Sequence, residues 1–162
     1  MAAAYEFNYD GVLQALKKWI IANVVALDTA QPWFSENTVW VDPPQENELT
    51  KFPDVILLTP SAVAQQSGGT TVMVFTVPLG FWVRESNTRA AGQKLRAILQ
   101  AFDVAWADPT KTLDTGYGAW ALRTQINQPT EPDASETDQY GAVTHFATKR
   151  VQVWERIAAR SF

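Results

Sequence analysis

Apolar residues recur at two spacings along this chain, and each change of spacing marks a change of element. From Asp10 to Val25 the apolar positions Val12, Leu13, Leu16, Trp19, Ile20 and Val24 return every three or four residues, which predicts an amphipathic helix. Asn8 or Asp10 is placed to cap its start, Lys17 and Lys18 fall on its wet side, and it must end before Pro32. A second helix is predicted behind the caps Ser86 and Asn87. Ala91, Leu95, Ile98, Leu99 and Phe102 form its buried stripe, and Arg89, Lys94 and Arg96 face solvent.

Elsewhere the spacing is that of strands. Thr38 to Val41 is short, β-branched and aromatic, and Pro43 and Pro44 close it. Behind Pro53, Asp54 to Thr59 is an almost unbroken apolar run, the pattern of a central strand covered on both faces. Ser67, Gly68 and Gly69 read as a flexible hairpin-like connection. Thr70 to Val83 then reads as one long strand, with Val72, Val74 and Thr76 opposite in direction to Met73, Phe75 and Val77. Pro78 has no N–H to give a ladder, so the far half of that strand is expected at a sheet edge or after a bulge. Tyr117 to Ile126 and Tyr140 to Trp154 supply two more strands. The order is helix, three strands, helix, two strands, an α+β pattern in a single domain spanning 1–162.

Between the last two strands, Asn127 to Gln139 holds Pro129, Glu131, Pro132, Asp133, Ser135, Glu136 and Asp138 and no basic residue. A segment so polar cannot bury itself, and a mobile acidic hairpin loop is expected at about 127–139.

Composition narrows the class. With 46% apolar and 19% charged residues in 162, the chain can bury one core without staples. It has no cysteine, which removes disulfides, thiolate catalysis and zinc ribbons and points to a reducing cytoplasm. Met1 to Asp10 lack the basic and apolar regions of a secretory signal, so the mature chain is expected to start near Met1. Thr59 to Val83 carries no charge and is long enough to cross a bilayer. Gln65, Gln66, Gly68, Gly69, Pro60 and Pro78 interrupt it, and it reads as a turn and a buried strand. The net charge of −4 argues against general binding of nucleic acid. Acidic stretches (1–58 and 103–138) alternate with basic ones (84–102 and 139–162), which suits either solvated faces or head-to-tail subunit contact.

Candidate chemistry is sparse. His145 is the one histidine and falls within the last strand, where a satisfied or surface imidazole is expected, and no serine sits in a Gly-x-Ser-x-Gly turn. Gly116 and Gly118 lack the third glycine of a phosphate loop. Glu131, Asp133, Glu136 and Asp138 lack the central glycine and distal glutamate of a calcium loop. Arg84, Arg89, Lys94 and Arg96, and the later Lys149, Arg150, Arg156 and Arg160, are not interleaved with aromatics as base-stacking surfaces are. No catalytic residue, cofactor or metal is assigned, and the chain is read as a non-enzyme. One binding alternative stays open: a ligand-binding or hydrolytic domain with an aromatic pocket built from Trp82, Trp106 and Trp120.

The step Lys51-Phe52-Pro53-Asp54-Val55-Ile56-Leu57-Leu58, the Val72 to Val83 strand leading to a cap at Ser86, and the late strands ending in Tyr140 to Trp154 together resemble the tail terminator and tail completion proteins of long-tailed bacteriophages. The likeness is one of architecture and hydrophobic pattern over most of the chain. It implies a mixed, mainly antiparallel sheet of about five strands covered on one face by two helices. It also implies a structural virion protein, made in the host cytoplasm, whose copies close into a ring, commonly of six, in the tail or neck. The partners implied are copies of itself, the tail tube protein, and a head-completion or connector protein. DNA passes through the lumen without sequence-specific binding, and no membrane is involved. Another tube, neck or connector protein is the alternative within the same class. A long hairpin or an exposed strand is a natural donor for such contacts. The expected subunit interface is therefore Glu131, Asp133, Glu136, Asp138, Tyr140, Lys149, Arg150 and Trp154.

Overall fold

The computed structural model describes residues 3–4, 9–29, 31–42, 54–67, 70–113, 121–125, 131–132, 136–137, 143–156 and 160–161. The elements run β1 (Ala3–Ala4), α1 (Tyr9–Asn23), β2 (Val39–Val41), β3 (Asp54–Leu57), β4 (Ser61–Ser67), β5 (Thr70–Glu85), α2 (Thr88–Ala107), β6 (Ala121–Gln125), β7 (Glu131–Pro132), β8 (Glu136–Thr137), β9 (Val143–Arg156) and β10 (Arg160–Ser161). The expected α+β architecture is present: a mixed, mostly antiparallel sheet with two helices packed on it.

The sheet is five strands wide, in the order β2-β3-β5-β9-β6. Its axis is the β5–β9 ladder, unbroken from Val72 opposite Arg156 to Glu85 opposite Val143. Both flanks of that pair are shared. On one side β3 pairs with Asp54–Trp82 through Leu57–Leu79, and β4 continues the same column from Ser61–Thr76 to Ser67–Thr70. On the other side β6, β7 and β8 pair with successive parts of β9. β2 lies outside β3 and parallel to it, and β1 pairs with β10 in a separate two-stranded sheet.

Alternation assigns the faces. Met73, Phe75, Val77, Leu79, Phe81 and Val83 of β5 are buried in the main core, as are Ala147, Val151 and Val153 opposite them on β9 and Val55 and Leu57 on β3. α2 covers this face across β5 and β9, while α1 packs against β2 and α2. One aromatic cluster joins the layers. Trp106 stacks on Phe102 at 5.6 Å between centroids, Trp19 of α1 meets both rings edge-on, and Phe81 of β5 meets Phe102 at 5.5 Å. The Trp19 indole also donates to the Lys111 carbonyl at 3.1 Å, fixing α1 to the chain beyond α2.

Helix boundaries follow their caps. Asn87 accepts from the Ala90 amide at 2.8 Å at the head of α2, as its side chain predicts. Lys17 of α1, whose side chain is only 17% exposed, reaches Glu36 at 3.1 Å, and Lys94 reaches Glu85 at 3.2 Å.

The structure corrects two expectations and decides a third. The run beginning at Asp54 is flanked on both sides but is not central: the middle column is β5, whose length sets the sheet. β4 is a strand that periodicity does not reveal, because Ser61, Val63, Ala64, Gln65 and Gln66 are exposed on both faces and carry no buried stripe. Of the two alternatives for the far half of β5, an edge or a place after a bulge, the edge is ruled out, since that half pairs with both β3 and β9. The irregularity lies in the neighbouring column, where 58–60 stand opposite only Val77 and Pro78, one extra residue that makes a bulge. Leu58 donates to the Pro78 carbonyl at 3.1 Å, so the missing proline N–H falls beside the bulge and breaks no regular ladder bond. Among the described residues no helix is long and apolar enough to cross a membrane.

Gly92 of α2 faces β9: a Cβ there would meet the Arg96 Nη1 at 3.1 Å and the His145 ring at 3.7 Å. The nearer atom is the tip of a flexible, exposed side chain, so it can yield. Glycine costs a helix interior about 0.5–1 kcal/mol relative to alanine. Gly92→Ala is therefore expected to raise stability by roughly that amount in urea unfolding, and a loss would show that the α2–β9 contact cannot give.

Candidate functional site: the helix-free face and the β9 strand

β9 carries three of the residues expected at a subunit interface, and alternation sends them to different places. Lys149 is on the helix-covered face. Its side chain is 6% exposed and its ammonium lies 2.7 Å from Asp103 Oδ1 of α2, whose side chain is 43% exposed. It is thus held inside the subunit. Arg150 is exposed on the opposite face, across from Pro78. Trp154 is half-buried on that same face, and its indole donates to Gln152 Oε1 at 3.3 Å. Backbone at Glu131 and Glu136 pairs with β9 through β7 and β8, against Thr148 and Thr144. Asp133, Asp138 and Tyr140, with most of the acidic segment, lie outside the described residues.

Among the described residues no helix covers the opposite face, on which Ile56, Val72 and Val74 are nevertheless buried, and its composition is distinctive. Along β5 it presents Val72, Val74, Thr76, Pro78, Gly80, Trp82 and Arg84, and along β9 Thr144, Phe146, Thr148, Arg150, Gln152 and Trp154. Trp82 and Phe146 meet edge-on at 6.3 Å, and Trp40 of β2 is half-buried on the same face, in register with Ile56. The Trp40 Nε1 is buried without a hydrogen-bond partner among the described residues. These two central strands give the face aromatic rings and arginine, and neither lysine nor a carboxylate.

An aromatic pocket uniting Trp82 and Trp106 does not form. Trp106, on the buried side of α2, belongs to the main core, while Trp82 lies on the other side of the sheet; Trp120 lies outside the described residues. His145 is half-buried opposite Val83 and against Gly92, and its Nε2 is buried with no hydrogen-bond partner among the described residues. Among the described residues no three histidine or acidic side chains gather as a metal site.

Two charges on the apolar side of β9 are the feature that sequence reading passed over. Lys149 and Glu155 occupy the same parity as Ala147, Val151 and Val153, and Glu155 is 0% exposed. The alternation was already the signal: a charge at each end of an apolar stripe demands a partner in the fold.

Removing one partner of a buried ion pair costs about 3–5 kcal/mol, mostly from the charge left behind. Asp103 retains contact with water, which lowers the figure here to about 1–3 kcal/mol. Asp103→Ala removes the carboxylate 2.7 Å from the buried ammonium, whereas Lys149→Met leaves a carboxylate that water can reach. Chemical denaturation should therefore find Asp103→Ala the more damaging, and the reverse order would show that Lys149 does not depend on this pair.

No protein-family model and no curated protein matches the chain, so its function is read from its own residues and geometry.

Proposed function

We propose that this chain is a structural virion subunit that closes with its copies into a ring on the tail tube of a long-tailed bacteriophage and joins the tube to the head connector. Six copies is the number the resemblance implies. The carrying observation is the one-sided sheet: helices cover one face, and the other bears Trp40, Trp82, Phe146 and Trp154, half-buried, with exposed Arg150 among them. Aromatic residues and arginine are enriched in protein interfaces, while lysine and carboxylates are depleted, and the β5 and β9 positions of this face follow that rule. The pocket alternative loses support because Trp82 and Trp106 diverge. A place in the host cytoplasm before assembly, and in the tail or neck after it, belongs to the same reading.

Light scattering and negative-stain electron microscopy test it. The reading expects closed rings, lost in Arg150→Glu, which reverses an exposed charge on this face, with far-UV circular dichroism checking that the variant is folded. Rings that persist unchanged in the variant would remove this face from the contact. A protein that forms no ring alone or with a tail tube would remove the proposal.

A further inference from the structure

Among the described residues the far side of the sheet ends in the outer edge of β4. β5 directs the backbone groups of its even-numbered residues toward β3 and β4, as the bond from Leu58 N–H to the Pro78 carbonyl shows. The register sets Ser61, Val63, Gln65 and Ser67 against those residues, so these four spend their N–H and C=O groups on β5. The backbone groups of Ala62, Ala64 and Gln66 point outward, and among the described residues no strand lies beside them.

Exposed edges are normally blunted by lysine, proline, a bulge or extreme shortness. Ser61–Ser67 has none of these within it, and Val63 is 57% exposed. The neighbouring column is occupied only as far as the end of β2. Val41 pairs with Leu57, the Asp42 amide donates to the Leu57 carbonyl at 2.9 Å, and Asp42 then takes a φ of 64°, a left-handed turn rare outside glycine. Among the described residues β2 thus ends level with β3, and a step as long as β4 is left beside β4.

We propose that β4 pairs antiparallel with β4 of a second copy of this chain, about a two-fold axis through Ala64. In that register Ala64 faces its own copy, Ala62 faces Gln66, Val63 faces Gln65 and Ser61 faces Ser67. Every outward N–H and C=O finds a partner, no like charges meet, and each β4 fills the step left by the other copy's β2. The helices of both copies stay on one side of the joined sheet. Pairing with the opposite edge of a second copy fits less well. β7 lies beside Ala147 and Thr148, and these are level with the part of β5 that faces β3 and β2, so side-by-side subunits would drive β2 into β7. A two-fold contact joins one patch to itself, so it is separate from the head-to-tail contacts of a ring and does not rest on the phage reading.

The chain has no cysteine, which makes engineered ones clean reporters. Residues facing each other in an antiparallel pair lie about 5.5 Å apart at Cα, within disulfide range. On mild oxidation Ala64→Cys should form a covalent dimer at least tenfold faster than Gln93→Cys, an exposed control on α2. Untagged wild type should scatter light with at least twice the mass of one chain, and Ala64→Lys, which sets like charges across the axis, should halve that mass while its far-UV circular dichroism matches wild type. Crosslinking no faster than the control overturns the proposal, as does an Ala64→Lys mass equal to wild type. Crosslinking of Ala64→Cys only when a second cysteine is placed on β6 would overturn the two-fold and put the opposite edge in its place.

Discussion

The pairing of β5 with β9 is the constraint on which the rest of this structure depends. The two strands bind each other along nearly their full length, and every other strand of the main sheet except β2 is hydrogen-bonded directly to one of them. Their alternation decides which residues face the helices and which do not. A one-residue slip between them would exchange Phe75 and Phe81 for Thr76 and Trp82 on the core side, so the apolar face fixes the register as firmly as the hydrogen bonds do.

From that ladder two surfaces follow with different characters. The helix-covered face is sealed by an aromatic cluster that reaches from Phe81 through Phe102 to Trp106 and Trp19. It also hides charge, since Lys149 is drawn in against Asp103. The other face keeps large rings partly in water. Burying a side chain of that size releases about 1.5–3 kcal/mol, a gain this face leaves partly unused.

Much of this was legible in the sequence, for physical reasons that also mark where reading fails. α1 and α2 announce themselves because one stripe of each is buried and the other wet, and Asn87 is a cap by chemistry alone. The alternation of β5 was readable because one of its faces is almost wholly apolar. β4 was hidden because a strand exposed on both sides bears no periodic signature; only its two-residue Gly68-Gly69 link to Thr70 hinted at it. The position of Pro78 could not be read, because the bulge that accommodates it belongs to another strand. The divergence of Trp82 from Trp106 depends on which layer each element joins, which local pattern does not encode. The expected interface divides for the same reason, with Lys149 turned inward and Arg150 outward, one residue apart.

Native-state hydrogen exchange tests the central role of the β5–β9 ladder most directly. The amides of Phe75, Val77 and Leu79 point toward β9, and they should exchange only through global unfolding, with an opening free energy equal to the whole stability of the protein. Exchange of these amides at markedly lower free energy, while the amides of α1 and α2 remain protected, would contradict the account and move the organising contact of the fold to the helices.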